Sequence, residues 1–243
     1  MLPAPRYLPA GESALVVEFG NAIDPKIHDW VLALDSALQQ AQWEGVIETV
    51  PTYRSLMIHF DPRRLTAEAL ADALAGLDYA TALPRTRRQL WHIPACYDAL
   101  HGEDIAEVAS HLSLSPARII GLHLGARYRV YMYGFAPGFT FLGGLPEELK
   151  IPRRAAPRAP VPPGSLLIAG GQALIAGCAM PTGWYAIGRT PVKMFDPRRE
   201  PVFLAGIGDE LCFERIDSAA FDAMSTAADA GEFCARHEYL DEP

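Results

Sequence analysis

Residues 127–144 read RYRVYMYGFAPGFTFLGG, and their pattern gives the first evidence for the fold of the C-terminal part of the chain. Residues 127–133 have the pattern of a short strand, but glycines, a proline and phenylalanines then alternate where no helix or strand would place them. Glycine permits positive φ and close backbone approach, and buried phenylalanines hold such a loop in place. These residue types predict either a ligand-binding loop or a hairpin that closes a β-barrel, and they do not separate the two.

Further short strands, broken by glycine and proline, follow this loop. They are SLLIAG, ALIAG, WYAIG, VKMFD, PVFLA and ELCFERI. Because no helix is predicted between them, they favour a closed β-barrel over a doubly wound sheet. Gly208-Asp209, just before the last of them, is typical of a hairpin turn.

Helices are predicted on both sides of these strands. Residues 102–111 form one, and a second runs from Pro116 to about Leu124, where Ser115 and the proline are typical of a helix start. An alanine-rich segment from Ser218 to about His237 predicts a third helix, with a packing or tail role.

The first eighty or so residues predict a small α/β domain. Its elements are a strand at 13–19, a helix from Pro25 that ends at Gly45, strands at 46–50 and 55–60, and a helix after Thr66. A further strand near 88–94 would complete a ferredoxin-like split βαβ unit. The basic, proline-containing segment 84–88 is the predicted linker, so the two domains are 1–86 and 87–243.

Composition excludes several classes of function. The net charge of −8 argues against a nucleic-acid partner, because neutralising phosphates needs clustered lysine and arginine. No apolar run reaches the ~18 residues that a membrane span needs, and MLPAPRYLPAGES lacks the segments of a signal peptide. We therefore expect a cytoplasmic protein without a membrane partner. The cysteines, Cys96, Cys178, Cys212 and Cys234, lie far apart and predict free thiols rather than a zinc site or disulfides.

The common catalytic motifs are absent from the sequence. It has no GxxxxGK[ST], GxGxxG, GxSxG or HExxH, which argues against a self-sufficient kinase or hydrolase of the common types. His123, at a helix end shortly before the aromatic loop, is either a structural residue or a group that reaches an anion.

Arginines are the other candidate functional residues. The segment IPRRAAPRAPVPPGSLLIAGG is too rich in proline for regular structure, and it could hold Arg153 and Arg158 rigidly toward a pocket lined by the phenylalanine loop. Trp184 and Arg189 lie on turns between the barrel strands. One alternative is that both residues are part of the same pocket. The other is that Trp184 is a barrel lid and Arg189 is a surface charge.

Several motifs together carry a resemblance to a known family. In order, they are GFAPGFTFLGG, IPR followed by PR, VPPGS, IAGGQ, PTGW, IGRTP and GD before an aromatic strand. With PTYRSLMIHFDP and IPACYD nearer the N-terminus, they strongly resemble the allophanate hydrolase subunit 1 family, over nearly the whole chain. That family includes the B subunit of bacterial 5-oxoprolinase and the sporulation kinase inhibitor, and it is similar to part of the carboxyltransferase domain of urea carboxylase.

The resemblance implies an α+β fold in which a cyclophilin-like β-barrel follows the small N-terminal domain. It implies two partners, a subunit of the allophanate hydrolase subunit 2 type and a lactam-utilisation subunit. It also implies ATP-dependent opening of a small lactam, 5-oxoproline to glutamate, with ATP held either by this chain in an unfamiliar mode or by the partner. The alternatives are a histidine-kinase inhibitor and a carboxyltransferase-type subunit acting on a urea-like amide.

The family pattern also implies the site residues. The candidate catalytic residues are His123, Arg153, Arg158 and Arg189, and the candidate substrate-binding residues are Gly134, Phe135, Pro137, Gly138, Phe139, Gln172 and Trp184; no metal ligand is implied. The chain departs from the pattern at Ala176, where the family has tyrosine, and at Thr182, where it has glycine. These changes remove a hydroxyl and some backbone freedom, so the substrate could be another small lactam, amide or urea-like compound.

Overall fold

The computed structural model describes residues 4–79 and 87–240. The chain divides into two compact units, Met1–Arg87 and Arg88–Pro243. Residues 84–86 of the predicted linker lie outside the described part of the chain.

The N-terminal unit is a four-stranded antiparallel sheet with two helices. Its elements are β1 (Arg6–Pro9), β2 (Ala14–Glu18), α1 (Pro25–Ala41), β3 (Val46–Pro51), β4 (Ser55–Phe60) and α2 (Ala67–Ala75), and the strand order is β1-β2-β4-β3. The predicted ferredoxin-like unit is not completed as expected. The edge strand that pairs with β2 is β1, and not a strand near residue 90. That later strand is buried along almost its whole length, which suits the interior of a barrel rather than the edge of a small sheet.

Local signals explain where α1 begins. The Asp24 carboxylate accepts hydrogen bonds from the backbone N–H groups of Lys26 (2.7 Å) and Ile27 (3.4 Å), and Pro25 occupies the first turn. The helix ends at Ala41, before the predicted Gly45, because Gln42 adopts a left-handed conformation with φ of 44°.

Substitution of Gln42 by glycine is expected to stabilise the N-terminal unit by about 1 kcal/mol, because only glycine adopts the left-handed conformation without a steric cost. Chemical denaturation of the full chain measures the change. Gln42→Ala is the matched control, since alanine keeps the steric cost and should show no gain. Equal midpoints for the glycine and alanine variants would contradict the prediction.

The C-terminal unit contains the predicted barrel. Its elements are β5 (Gln89–Cys96), α3 (Ile105–Leu112), α4 (Pro116–Gly125), β6 (Tyr128–Tyr133), β7 (Thr140–Gly143), β8 (Arg158–Val161), β9 (Ser165–Ala169), β10 (Gln172–Ile175), β11 (Met180–Thr182), β12 (Tyr185–Arg189), β13 (Glu210–Ile216), α5 (Ser218–Asp229) and β14 (Arg236–Tyr239). The order β12-β9-β10-β7-β6-β13-β5 closes on itself where Arg189 pairs with Cys96. This closed seven-stranded barrel confirms the predicted barrel.

Side chains on β9 and β10 alternate between two cores. Leu166, Ile168 and Ile175 belong to the large barrel core. Leu167, Ala169 and Leu174, from the same strands, belong to a smaller outer core that also contains Phe139 and Trp184. The alternation is that of a strand buried on both faces, and it places the aromatic loop against the outside of the barrel.

Two of the predicted strands, VKMFD and PVFLA, are absent from the described structure and leave only a single bridge between Phe195 and Phe203. The Arg199 guanidinium connects the two segments. It donates to four backbone carbonyl oxygens at 3.1–3.3 Å, those of Lys193, Met194, Pro201 and Val202. Two of these oxygens also accept backbone N–H groups, Met194 from Leu204 (2.8 Å) and Val202 from Asp196 (2.9 Å), so the two segments pair over too short a length to form strands.

The proline-rich segment, predicted to be irregular, contains a strand. β8 pairs with β11 in a separate two-stranded sheet, with Val161 opposite Met180. Proline is tolerated there because both strands of such a sheet are edge strands.

The predicted C-terminal helix is shorter than expected. α5 ends at Asp229, and Gly231 then has a φ of +92°. Residues 236–239 form β14, which pairs antiparallel with β5 and places His237 opposite Trp91, their ring centroids 4.5 Å apart. The acidic terminal residues 241–243 lie outside the described residues.

The turn at Gly208-Asp209 does not make the predicted hairpin. It leads into β13, which pairs with β6 and runs parallel to β5. The Asp209 carboxylate accepts hydrogen bonds from the N–H groups of Gln89 (2.9 Å) and Gly206 (2.8 Å) and from Trp91 Nε1 (3.0 Å). The hydrogen bonds to Asp209 therefore hold the start of β5 against the turn that precedes β13.

Candidate functional site

A cavity of about 330 Å³ opens beside the point where the barrel closes. It is lined by the turn before β9, the end of β10, the end of β12 with the segment after it, and α5. The lining residues are Pro163, Gly164, Ala176, Gly177, Arg189, Thr190, Pro191, Val192, Lys193, Met194, Phe195, Phe221, Ser225 and Asp229.

Two glycines allow the backbone segments around this cavity to approach closely. Gly164 has a φ of +79°, and a Cβ atom there would lie 2.2 Å from the carbonyl oxygen of Thr190. A Cβ on Gly177 would lie 2.2 Å from the carbonyl oxygen of Pro137, in the aromatic loop. Any residue larger than glycine would clash at either position. Through Gly177, the cavity wall lies in close contact with the aromatic loop.

Arg189 is the most distinctive side chain of the cavity. Its Nε donates to the carbonyl oxygen of Pro163 at 2.8 Å, and its guanidinium lies 5.1 Å from the ring centroid of Phe221. Among the described residues no carboxylate pairs with it, and burial lowers the pKa of its guanidinium. A rigidly held arginine with free terminal nitrogens is suited to bind a carboxylate or phosphate.

The aromatic loop flanks the cavity and does not line it. Its residues, Gly134, Phe135, Pro137 and Gly138, form with Tyr133 and Phe203 a separate open depression of about 310 Å³. Phe135 has a φ of 70° and is 79% exposed, whereas Phe139 is buried in the outer core. The loop is therefore part barrel packing and part exposed surface.

Arg158 does not reach the cavity as the sequence predicted. Its Nη1 lies 2.7 Å from both carboxylate oxygens of Asp104, and its Nη2 pairs with Glu103. Arg154 joins the same network through Asp104 (3.0 Å) and Glu107 (2.5 Å). With two carboxylates already bound, Arg158 holds the structure together and is not available to a ligand.

Arg153 is exposed and lies over Gly183, outside the cavity lining. No hydrogen bond or ion pair to it occurs within residues 4–79 and 87–240. Of the three arginines predicted to bind an anion, only Arg189 lines the cavity.

His123 lies in the barrel core, away from the cavity lining. It is 1% exposed, its Nδ1 is 2.7 Å from the Tyr97 hydroxyl, and its ring stacks on Phe213 with centroids 4.6 Å apart. Burial lowers the pKa of His123 to about 3, so the ring is neutral at pH 7. Its surroundings support the structural alternative, and the expected reach to an anion is not found.

Gln172 and Trp184 are also placed outside the cavity. Gln172 begins β10, and Gly177 follows the far end of that strand, roughly 16 Å away along extended backbone. Trp184 belongs to the outer core, where its ring lies edge-on to Phe141. Cys178 packs against the same core, and all four cysteines are free, as predicted.

The profile of the carboxyltransferase domain family, subdomain C and D, matches residues 5–205. The chain belongs to this family. A family relative from Bacillus subtilis, named as the B subunit of 5-oxoprolinase, is 34% identical over 229 residues, which cover 88% of this chain and 93% of that protein. These matches confirm the resemblance indicated by the sequence motifs.

Two solved structures are similar to this carboxyltransferase-domain chain. TTHA0988 shares 37% sequence identity with a TM-score of 0.74, and the match covers 84% of this chain and 40% of that one. The chain thus spans well under half of TTHA0988. Urea carboxylase from Kluyveromyces lactis has a TM-score of 0.80 over 98% of this chain and 24% of its own, at 17% identity. That second similarity shows the fold alone.

Sequence reasoning missed the contribution of α5 to the site. Phe221, Ser225 and Asp229 line the cavity from this helix, and Lys193 faces the same space. The sequence predicts only a packing or tail role for the helix, because no local motif separates such a helix from any other. Only the scarcity of lysine, three in the whole chain, could have drawn attention to Lys193.

Other kinds of site are not found in the described residues. Within 4–79 and 87–240, no group of three or more His, Cys, Asp or Glu side chains is arranged to hold a metal ion. No helix in these ranges has the length and apolar character needed to cross a bilayer.

Proposed function

We propose that this chain is one subunit of a 5-oxoprolinase-type complex that opens a small lactam or amide in an ATP-dependent reaction, with 5-oxoproline converted to glutamate. Family membership and the similarity to a protein named as the B subunit of 5-oxoprolinase support the proposal. We infer a cytoplasmic complex whose other members are a subunit of the allophanate hydrolase subunit 2 type and a lactam-utilisation subunit.

The free guanidinium fork of Arg189 is the observation that carries the proposal. 5-Oxoproline has a carboxylate next to its lactam ring, and Arg189 offers two parallel donors to such a group. The bond to Pro163 and the contact with Phe221 hold the guanidinium before the ligand arrives. A carboxylate bound there would hold the lactam ring in one orientation, which lowers the entropy lost on reaching the transition state.

The cavity at Arg189 does not fit ATP. The cavity has one guanidinium without a carboxylate partner, while its other cation, Lys193, pairs with Asp229 at 2.7 Å. That set suits a small anionic ligand and not a triphosphate, which proteins surround with several backbone N–H groups and cations. In this proposal the partner subunit holds ATP, and this chain binds and orients the small substrate.

Coexpression with the two partner subunits tests the proposal. The purified complex is expected to release ADP and form glutamate only when 5-oxoproline is present, and the isolated chain is expected to do neither. ADP release that does not depend on 5-oxoproline, or a complex active on urea-like amides alone, would contradict it.

Exposure of Phe135 favours a second candidate function, inhibition of a histidine kinase by docking. A large aromatic side chain that is 79% exposed on a strained loop is typical of a protein interface. A pull-down with candidate kinases, using Phe135→Ala as the control, separates this function from the first. Retention of the partner subunits with no kinase bound would count against it.

A further inference from the structure

The cavity that contains Arg189 has two cationic side chains, and in the described part of the chain only one of them pairs with a carboxylate. Among the described residues, Arg189, Lys193 and Asp229 are the charged ones that line it. Arg189 has no carboxylate partner in the described part of the chain, whereas Lys193 Nζ lies 2.7 Å from Asp229 Oδ1. The wall therefore carries one net positive charge, and its second cation is occupied by a carboxylate of the chain itself.

This ion pair is easy to separate. The side chain of Asp229 is 77% exposed and that of Lys193 is 36% exposed, so water solvates both partners well. Such pairs contribute little to stability. The Asp229 backbone is held independently, because Arg198 Nη1 donates to its carbonyl oxygen at 3.3 Å. The carboxylate can leave Lys193 while the end of the helix stays in place.

The position of Asp229 is unfavourable for helix stability. It is the last residue of α5, where the negative end of the helix dipole disfavours an acidic side chain. The last turn contains no basic residue that would compensate. An acidic residue that is unfavourable for its own helix and also lines a cavity indicates a role in that cavity.

We propose that Lys193 is a second anion-binding group of this cavity, that Asp229 occupies it when no ligand is bound, and that the cavity accepts a small ligand with two anionic groups. One such group would bind Arg189, and the other would replace Asp229 at Lys193. The inference rests on the proposed function for its choice of ligand, because opening the ring of a lactam acid creates a second carboxylate. The cavity then binds the dicarboxylate product better than the monocarboxylate substrate.

Titration calorimetry on the isolated full-length chain tests this inference. The probes are glutarate, with two carboxylates, and pentanoate, with one. Asp229→Asn is expected to bind glutarate about fivefold more tightly than the unchanged chain, since the internal competitor is gone, and to bind pentanoate equally. Lys193→Met is expected to remove the preference for glutarate.

Asp222→Asn is the matched control, because Asp222 is an exposed acid on the same helix outside the cavity lining. It changes the net charge equally and should leave glutarate binding unchanged. An equal gain in the Asp222 variant, an equal gain for pentanoate, or no glutarate binding to any variant would overturn the inference. These outcomes are independent of turnover by the complex, so its failure and that of the proposed function are distinguishable.

Discussion

Replacement of Arg189 by methionine is expected to lower kcat/KM of the assembled complex for 5-oxoproline by about 100-fold. Methionine keeps much of the apolar contact with Phe221 but removes the charge and both free donors. Loss of a charged partner to a bound carboxylate costs roughly 3 kcal/mol, which corresponds to that factor. The change should appear mainly in KM, because the carboxylate is bound in both the ground and the transition state. Initial rates of glutamate formation measure it.

Two further arginine variants make this test specific. Arg118→Met changes an exposed arginine that pairs with Glu148 at 3.6 Å, and it should leave kcat/KM unchanged. Arg153→Met examines the other arginine that the sequence marked as catalytic. Loss of activity in the Arg153 variant with full activity in the Arg189 variant would show that the anion site lies at Arg153 and that the cavity has been misassigned.

Replacement of Asp104 by alanine is expected to destabilise the C-terminal unit by about 3–5 kcal/mol. This carboxylate is 7% exposed and serves Arg158, Arg154 and the backbone N–H of Ala186, the last at 2.7 Å. Its loss would remove one of the two carboxylates from each guanidinium, leaving Arg158 with Glu103 and Arg154 with Glu107, and it would leave the buried N–H of Ala186 without its partner. Chemical denaturation of the full chain measures the effect.

Glu107→Gln is the control for this network. Glu107 also pairs with Arg154, but its side chain is 42% exposed, so the change should cost less than about 1 kcal/mol. Similar losses for the two variants would show that water replaces Asp104 as readily as it replaces Glu107, and that the network does not hold the fold together.

The helix starts could be predicted from the sequence because their causes are local. Asp24 and Pro25 act within one turn of each other, as do Ser115 and Pro116, so the residues that begin the helix are adjacent in the chain. The strands 128–133, 165–169, 172–175 and 185–189 were predictable for a similar reason, since glycines next to them in the sequence mark their ends.

The errors arose where distant residues decide local structure. β5 has the composition of a strand, but which sheet it joins depends on β13, more than a hundred residues away. The segments 192–196 and 201–205 have strand-like composition, yet they pair only at the bridge between Phe195 and Phe203, and Arg199 donates to carbonyl oxygens of both segments. Composition alone does not show where a guanidinium donates.

The residue types of the candidate site follow from the sequence: an aromatic loop, a set of arginines and the glycines between them. Which of Arg158 and Arg189 is free to bind a ligand depends on the folded structure. Arg158 meets Asp104 from 54 positions away and is neutralised there, while Arg189 meets Pro163 and Phe221 and keeps its terminal nitrogens free. The physical reason is that the availability of a charge depends on every group that folding brings within a few ångströms of it, and those groups lie far apart in the chain.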